Sequence, residues 1–205
     1  MKKLLLAFIA ILIFTNCTEK KTTYEDEIRL AQYELNTQYA DEEESPLTKE
    51  DLKTFKTLDF FEINKNYRVE ADFQLTPNTP IFAMATTTER LPLYRKYGIA
   101  RFSMNDQKIA LSVYQSQDLF NSTEYENQLF LPFNDATNGN LSYGGGRYLD
   151  LEIPSNGSNI IIIDFNKAYN PYCAYNSKWS CPIPPAENTI PFEILAGVKA
   201  YGKHH

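Results

Sequence analysis

Between positions 67 and 75 apolar and polar residues alternate without a break: Tyr67, Val69, Ala71, Phe73 and Leu75 interleave with Arg68, Glu70, Asp72 and Gln74. A period of two places all five apolar side chains on one side of an extended backbone, so this segment is a strand with one buried and one wet face. Such a strand needs partners, and the chain supplies them. Strand-like segments follow at 81–87, 93–104, 108–115, 128–133, 148–153, 159–166 and 190–199, with turn signals at Asn105-Asp106 and at 155–158. Short strands joined by short turns predict a mainly β chain, an antiparallel sandwich or small barrel. The 14 Tyr and 13 Phe suit an aromatic-packed β core and not a disordered chain.

Ahead of the strands the period is 3.6. Tyr24, Ile28, Ala31, Leu35 and Tyr39 fall on one helical face, and Thr23 with Asp26 form a capping pair. The acidic run 41–44 and Ser45-Pro46 end this helix; Thr48 can cap a second, short one presenting Leu52 and Phe55. One or two helices therefore precede the sheet. Earlier still, Lys2 and Lys3 lead into an apolar run from Leu4 to Phe14, closed by Thr15-Asn16-Cys17. Eleven residues of helix cover about 16 Å, about half of a hydrocarbon core, so the run is too short to span a membrane. It has no polar face to turn to water either. The pattern resembles a lipoprotein signal peptide at 1–16, with Cys17 as the lipidation site, a tether at 17–23 and a single β-rich domain at 24–205. The expected location is outside the cytoplasm, lipid-anchored to a bacterial membrane and facing the periplasm. Removing residues 1–16 takes two lysines from a formal charge of −6 and leaves −8. With no clustered Lys and Arg, nucleic acid is not an expected partner. The partners are the membrane, through the lipid, and an unidentified small-molecule or protein ligand.

The stretch 167–188 breaks the alternation. It holds two cysteines, the only Trp, several prolines and three tyrosines, so it reads as a long ordered loop, a common place for function. Cys173 and Cys181 are expected to form a disulfide in an oxidising compartment; reduced structural thiols or a thiol-based site are the alternatives. Zinc is disfavoured by their wide spacing and by the position of the only histidines, His204 and His205, at the chain end. No metal and no cofactor is expected. Gly144-Gly145-Gly146 is followed by strand-like sequence and not by a helix, which makes it a bend and not a phosphate cradle. Arg147 shares strand parity with Leu149, Leu151 and Ile153 and so enters the inward face, where it needs Asp135 or Asp164 as a partner, or an anionic ligand. Asp150 and Glu152 fall on the opposite face with Tyr148, about 7 Å apart, and read as a solvated strand face before a paired-carboxylate site.

The motifs DFNKAYNPYCAY at 164–175, CPIPPAEN at 181–188 and Ala196-Gly197, with FNDATNG at 133–139 and YGGGRY at 143–148, closely resemble the signatures of the family called domain of unknown function 1684. The likeness runs from about position 67 to 198. It implies membership and no particular activity, and it marks Asp135, Arg147, Tyr148, Asp164, Asn166, Asn170, Glu187 and Asn188 as candidate binding residues. A binding or structural module is the leading expectation. A carboxylate-dependent hydrolase with Asp164 as general base and Glu187 as partner acid is the second, and a thiol site at Cys173 and Cys181 the third. Serine in a nucleophile elbow and histidine inside the domain are both missing, which excludes Ser-His and Cys-His mechanisms. Catalytic residues are unassigned, and whether the chain is an enzyme stays open.

Overall fold

Helix α1 (Tyr24–Ala40) begins at a capping box: the Asp26 amide donates to the Thr23 hydroxyl at 3.1 Å, and the Thr23 amide donates back to the Asp26 carboxylate at 3.1 Å. Glu25, Asp26 and Glu27 add negative charge to the first turn, where the helix dipole favours it. A single turn, α2 (Lys49–Leu52), follows under a Thr48 cap. These elements belong to a computed structural model that describes residues 22–120 and 125–202. The expected signal peptide, Cys17, most of the tether, and His204 and His205 lie outside the described residues.

Seven strands follow: β1 (Arg68–Leu75), β2 (Ile81–Ala83), β3 (Leu93–Met104), β4 (Gln107–Ser116), β5 (Gln128–Phe133), β6 (Arg147–Glu152) and β7 (Ile160–Asp164), with a helical turn α3 (Gln117–Phe120) after β4. They form one curled antiparallel sheet, a half-barrel, in the order β6-β5-β4-β3-β1-β7, with β2 paired to the start of β3. Asn105 and Asp106, both at positive φ, make the two-residue turn of the β3–β4 hairpin. The inward positions of the strands form the core: Ala71 and Phe73, Ala100 and Phe102, Leu111 and Val113, Leu129 and Leu131, Leu149 and Leu151, Ile161 and Ile163. The alternation read from β1 thus holds across the sheet, and the small-barrel expectation is met as a half-barrel.

Three expected strands are altered. Segment 81–87 pairs only as far as Ala83; beyond it the Thr86 hydroxyl donates to the Arg90 carbonyl at 2.6 Å, and Thr86 bridges to Pro182. Segment 159–166 stops at Asp164, whose side chain accepts from the Asn166 amide and starts a 3-10 turn. Segment 190–199 is not a strand of the sheet. It buries Ile190, Ile194, Ala196 and Val198 as alternation requires, yet the carbonyls of Ile194, Ala196 and Val198 accept hydrogen bonds from the Arg147 guanidinium. A side chain there does what a neighbouring strand would otherwise do.

A second apolar cluster orders the long loop. Tyr39 of α1, Leu47 and Leu58 pack with Ala174, Tyr175 and Val198. Tyr39 meets the Tyr175 ring edge-on at 4.9 Å and the Tyr172 ring at 6.2 Å. The Trp179 indole N–H donates to the Pro46 carbonyl at 2.9 Å. At the start of the loop Tyr148 and Tyr169 exchange backbone hydrogen bonds of 2.9 and 3.0 Å, so the loop hems the outer edge of β6. The N-terminal helical segment is therefore the clamp that holds residues 169–182 over the sheet.

Candidate functional site

Parity decides what that loop covers. In the β5–β6 register Leu129, Leu131, Arg147, Leu149 and Leu151 point to the core, while Phe130 sits opposite Asp150 and Pro132 opposite Tyr148 on the outer face. Tyr114, paired with Phe130, and Tyr94, paired with Ser116, extend this outer face across β4 and β3. Loop 169–182 and the Leu35 and Gln38 side chains of α1 roof part of it and leave a cleft of about 460 Å³. Its rings are Tyr94, Phe130 and Tyr148 from the sheet and Tyr169, Tyr172 and Trp179 from the loop. They form two runs in contact: Tyr94, Phe130, Tyr148 and Tyr169 at successive centroid distances of 5.7, 4.8 and 5.9 Å, and Tyr172 with Trp179 at 5.4 Å. The Tyr148 hydroxyl donates to the Pro182 carbonyl, fixing sheet to loop.

Asp150 stands among these rings. Its carboxylate accepts from the Tyr169 hydroxyl at 2.9 Å, and no Lys or Arg among the described residues forms an ion pair with it. Water reaches it through the cleft mouth, but crowding by ring carbon desolvates it and raises its pKa above the usual carboxylate value, against the opposing effect of the Tyr169 hydrogen bond. Arg90 also lines the cleft and is tied to Ser180 by hydrogen bonds of 3.1 Å to the carbonyl and 3.3 Å to the hydroxyl.

Cys181 forms part of the wall. It and Cys173 stand as free thiols, so the expected disulfide is not formed in this structure. They are adjacent: the Cys173 amide donates to the Cys181 sulfur at 3.0 Å, and the Tyr143 hydroxyl lies 3.8 Å from the Cys173 sulfur. Donation from the Cys181 thiol, against desolvation and with help from Tyr143, brings Cys173 down to about 7, while the donor Cys181 is pushed up.

The sequence-derived candidates are spread over several internal contacts. Arg147, fully buried, donates to Asp135 at 2.7 Å. Asp135 also accepts from the Thr137 amide at 2.8 Å and the Ile194 amide at 3.2 Å. The guanidinium lies 5.4 Å from the Phe133 ring centroid and 5.7 Å from that of Phe61, with its Nε unpartnered among the described residues. Gly146, at φ +89°, makes this entry possible: a Cβ there would meet Pro184 at 2.6 Å and the Phe133 carbonyl at 2.8 Å. Asp164 is not part of this group. It accepts from Tyr24, the first residue of α1, at 3.0 Å and from Arg68 at 3.2 Å. Asn166 brackets Asn64 through bonds of 3.0 and 2.9 Å, and Asn170 donates to the Lys199 carbonyl at 2.8 Å. Asn188, buried, bonds the amide and carbonyl of Ser112 and the Pro132 carbonyl, each at 2.8 Å, and so bridges β4 and β5, which pair directly only at Tyr114 and Phe130. Glu187 accepts from Lys96 and from the Tyr114 hydroxyl, both at 3.1 Å.

Asp164 and Glu187 are not brought together. Asp164 pairs with the first residue of β1, whereas Lys96, the partner of Glu187, lies beyond its last residue, and β1 is about 23 Å long at 3.3 Å per residue. The acid and base proposed for hydrolysis therefore share no substrate position. Of the sequence-derived binding residues only Tyr148 lines the cleft. Asp150, read as part of a solvated strand face, is exposed and lines the cleft as well. The available signal was aromatic: Tyr94, Tyr114, Phe130 and Tyr148 occupy strand positions on a face that a wet sheet would fill with polar side chains.

Among the described residues no group of three or more His, Cys, Asp or Glu is placed to hold a metal ion, and no helix is long and apolar enough to cross a membrane. The sequence model of the family described as "Protein of unknown function (DUF1684)" matches residues 53–199. Among solved structures, the solution NMR structure of an uncharacterized protein of Haloarcula marismortui is similar, with 29% sequence identity and a TM-score of 0.70; the match covers 88% of this chain and 96% of that one. No curated protein matches.

Proposed function

Because the chain belongs to the family of unknown function DUF1684, whose description names no activity, we propose its role from its own geometry: a ligand-binding module, exported and lipid-anchored, whose binding site is the aromatic cleft. The observation that carries this reading is the contrast between the two faces of β6. On the inner face Arg147 is neutralised by Asp135 and backbone carbonyls. On the outer face Asp150 has one hydrogen bond, no counter-ion among the described residues, and a roofed space in front of it. Binding clefts combine an apolar wall with a few convergent polar groups, and about 460 Å³ lies in the range that encloses a small molecule.

Export and lipidation at Cys17 rest on the basic start, the short apolar run and the Cys boundary. Helix α1 begins just after the proposed tether and reaches the cleft through Leu35 and Gln38, about 17–21 Å along its axis. The lipid would hold the molecule at the bilayer surface through the chain that precedes α1.

The only tryptophan of the chain, Trp179, lines the cleft and makes the test direct. A small-molecule panel of cationic, neutral and anionic compounds, titrated against the mature protein, is expected to contain members that change Trp179 emission saturably. Tyr148→Ala, which removes a wall ring and the tie to Pro182, should weaken them at least tenfold. A panel in which no compound changes the emission or gives calorimetric heat, or in which Tyr148→Ala leaves every affinity unchanged, counts against the reading.

A further inference from the structure

We infer that the cleft takes an organic ammonium ion, held by the Asp150 carboxylate and the faces of the surrounding aromatic rings. The inference rests on the cleft being the binding site and adds the chemistry of its occupant. Aromatic rings carry negative charge on their faces, and a cation over them is attracted without losing much hydration if its charge is already shielded by carbon. Six rings line one space here, and the carboxylate within it has no neutralising partner among the described residues.

The rival guests fit less well. An anion would meet the Asp150 carboxylate, and the cations at the cleft are engaged elsewhere: Arg90 lines it but is hydrogen-bonded to the Ser180 hydroxyl and carbonyl, and Lys178 lies over the Trp179 ring at 4.5 Å. A neutral guest would displace water from an exposed carboxylate with no charge given in return. An ammonium ion supplies the opposite charge that the Asp150 carboxylate lacks among the described residues. Asp150 also remains available: it is exposed, and the Tyr169 hydroxyl uses one acceptor position on Oδ2 and leaves the others unused among the described residues. Strand pairing places Asp150 directly opposite Phe130, and Tyr148 lies two residues along the same face, so the carboxylate and two of the rings are immediate neighbours on the sheet.

Choline and 3,3-dimethylbutan-1-ol have the same shape and differ in having a positive nitrogen or a neutral carbon at the branch point. Titrated against Trp179 fluorescence and by calorimetry, choline is expected to bind at least tenfold more tightly than the alcohol. Asp150→Asn keeps an acceptor for Tyr169 and should fold; it is expected to weaken choline at least tenfold and leave the alcohol unchanged. Choline affinity should also fall as the pH is lowered through the raised Asp150 pKa, because protonation removes the charge. Equal binding of the two compounds, or a choline affinity unaffected by Asp150→Asn, overturns the ammonium inference while leaving the cleft as the binding site. Binding of a neutral disaccharide or an anion in place of choline overturns it likewise. Failure of every compound to bind takes the cleft reading down with it.

Discussion

Arg147 is the residue on which the interior turns. Its guanidinium meets one carboxylate and the carbonyls of Ile194, Ala196 and Val198, so it neutralises Asp135 and also holds the C-terminal extended segment against the sheet. Burial pulls its pKa down and Asp135 opposes that shift. Arg147→Met retains most of the volume but strands a buried carboxylate and three carbonyls, for an expected loss of about 3–5 kcal/mol. Arg147→Lys restores the charge without the planar fork and should recover only part of the loss. Urea unfolding measures both, and changes below about 0.5 kcal/mol in each variant would place Arg147 among ordinary surface residues. Two residues away on the same strand face, Leu149 is simple core; three residues away, on the other face, Asp150 is the carboxylate of the cleft. The two faces of one strand thus divide the core from the proposed binding cleft.

At the scale of elements, the segment from β7 to position 189 differs from the rest in being ordered by partners and not by its own ladder. Single 3-10 turns at Phe165–Lys167, Tyr172–Ala174 and Ala186–Asn188 punctuate it, and α1, the β6 edge and Pro46 hold it in place. The two thiols lie in its middle, adjacent and unequal, with Cys173 brought to about 7. In an oxidising compartment they should join, a thiolate at Cys173 attacking a disulfide oxidant and Cys181 then displacing the reduced oxidant. Treatment with oxidised glutathione at neutral pH is therefore expected to link Cys173 to Cys181 in non-reducing peptide maps. Closing so short a loop adds about 2.5 kcal/mol in the chain-entropy model. With iodoacetamide, Cys173 should react first, at half its maximal rate near pH 7. Both thiols staying fully alkylatable after oxidation would refute the link. Because Cys181 lines the cleft, linkage also fixes one wall of it.

At the scale of the whole molecule, the proposed anchor and the proposed binding cleft would be linked through α1. Tyr24, at the start of α1, is pinned to Asp164, so a lipid on Cys17 and the tether behind it would hold the Asp164 end of the sheet near the bilayer. Mass spectrometry of the mature N-terminus should find a lipid-modified chain beginning at Cys17; a chain retaining Met1, or starting elsewhere unmodified, would remove the anchor from the account.

The periodicity of two, the capping box at Thr23 and Asp26, the Asn105-Asp106 turn and the inward parity of Arg147 are properties of neighbouring residues, and the sequence alone determined them. The family likeness of the motifs at 133–148 and 164–188 was legible in the same way. Their roles were not: Asn166, Asn170 and Asn188 are internal brackets whose partners lie 29 to 102 positions away. The pairing of Arg147 with Asp135, 12 positions before it, was one of two the sequence allowed, and only packing chose between Asp135 and Asp164. The cleft was least legible of all. Alternation says that Asp150, Phe130 and Tyr148 leave the core on the same side, but not whether that side meets water. That was decided by Tyr169, Tyr172 and Trp179 folding back over the sheet under the grip of Tyr39 in α1, a contact between segments more than 130 residues apart. Which face a side chain takes is set by local backbone geometry; what covers that face depends on where the rest of the chain comes to lie.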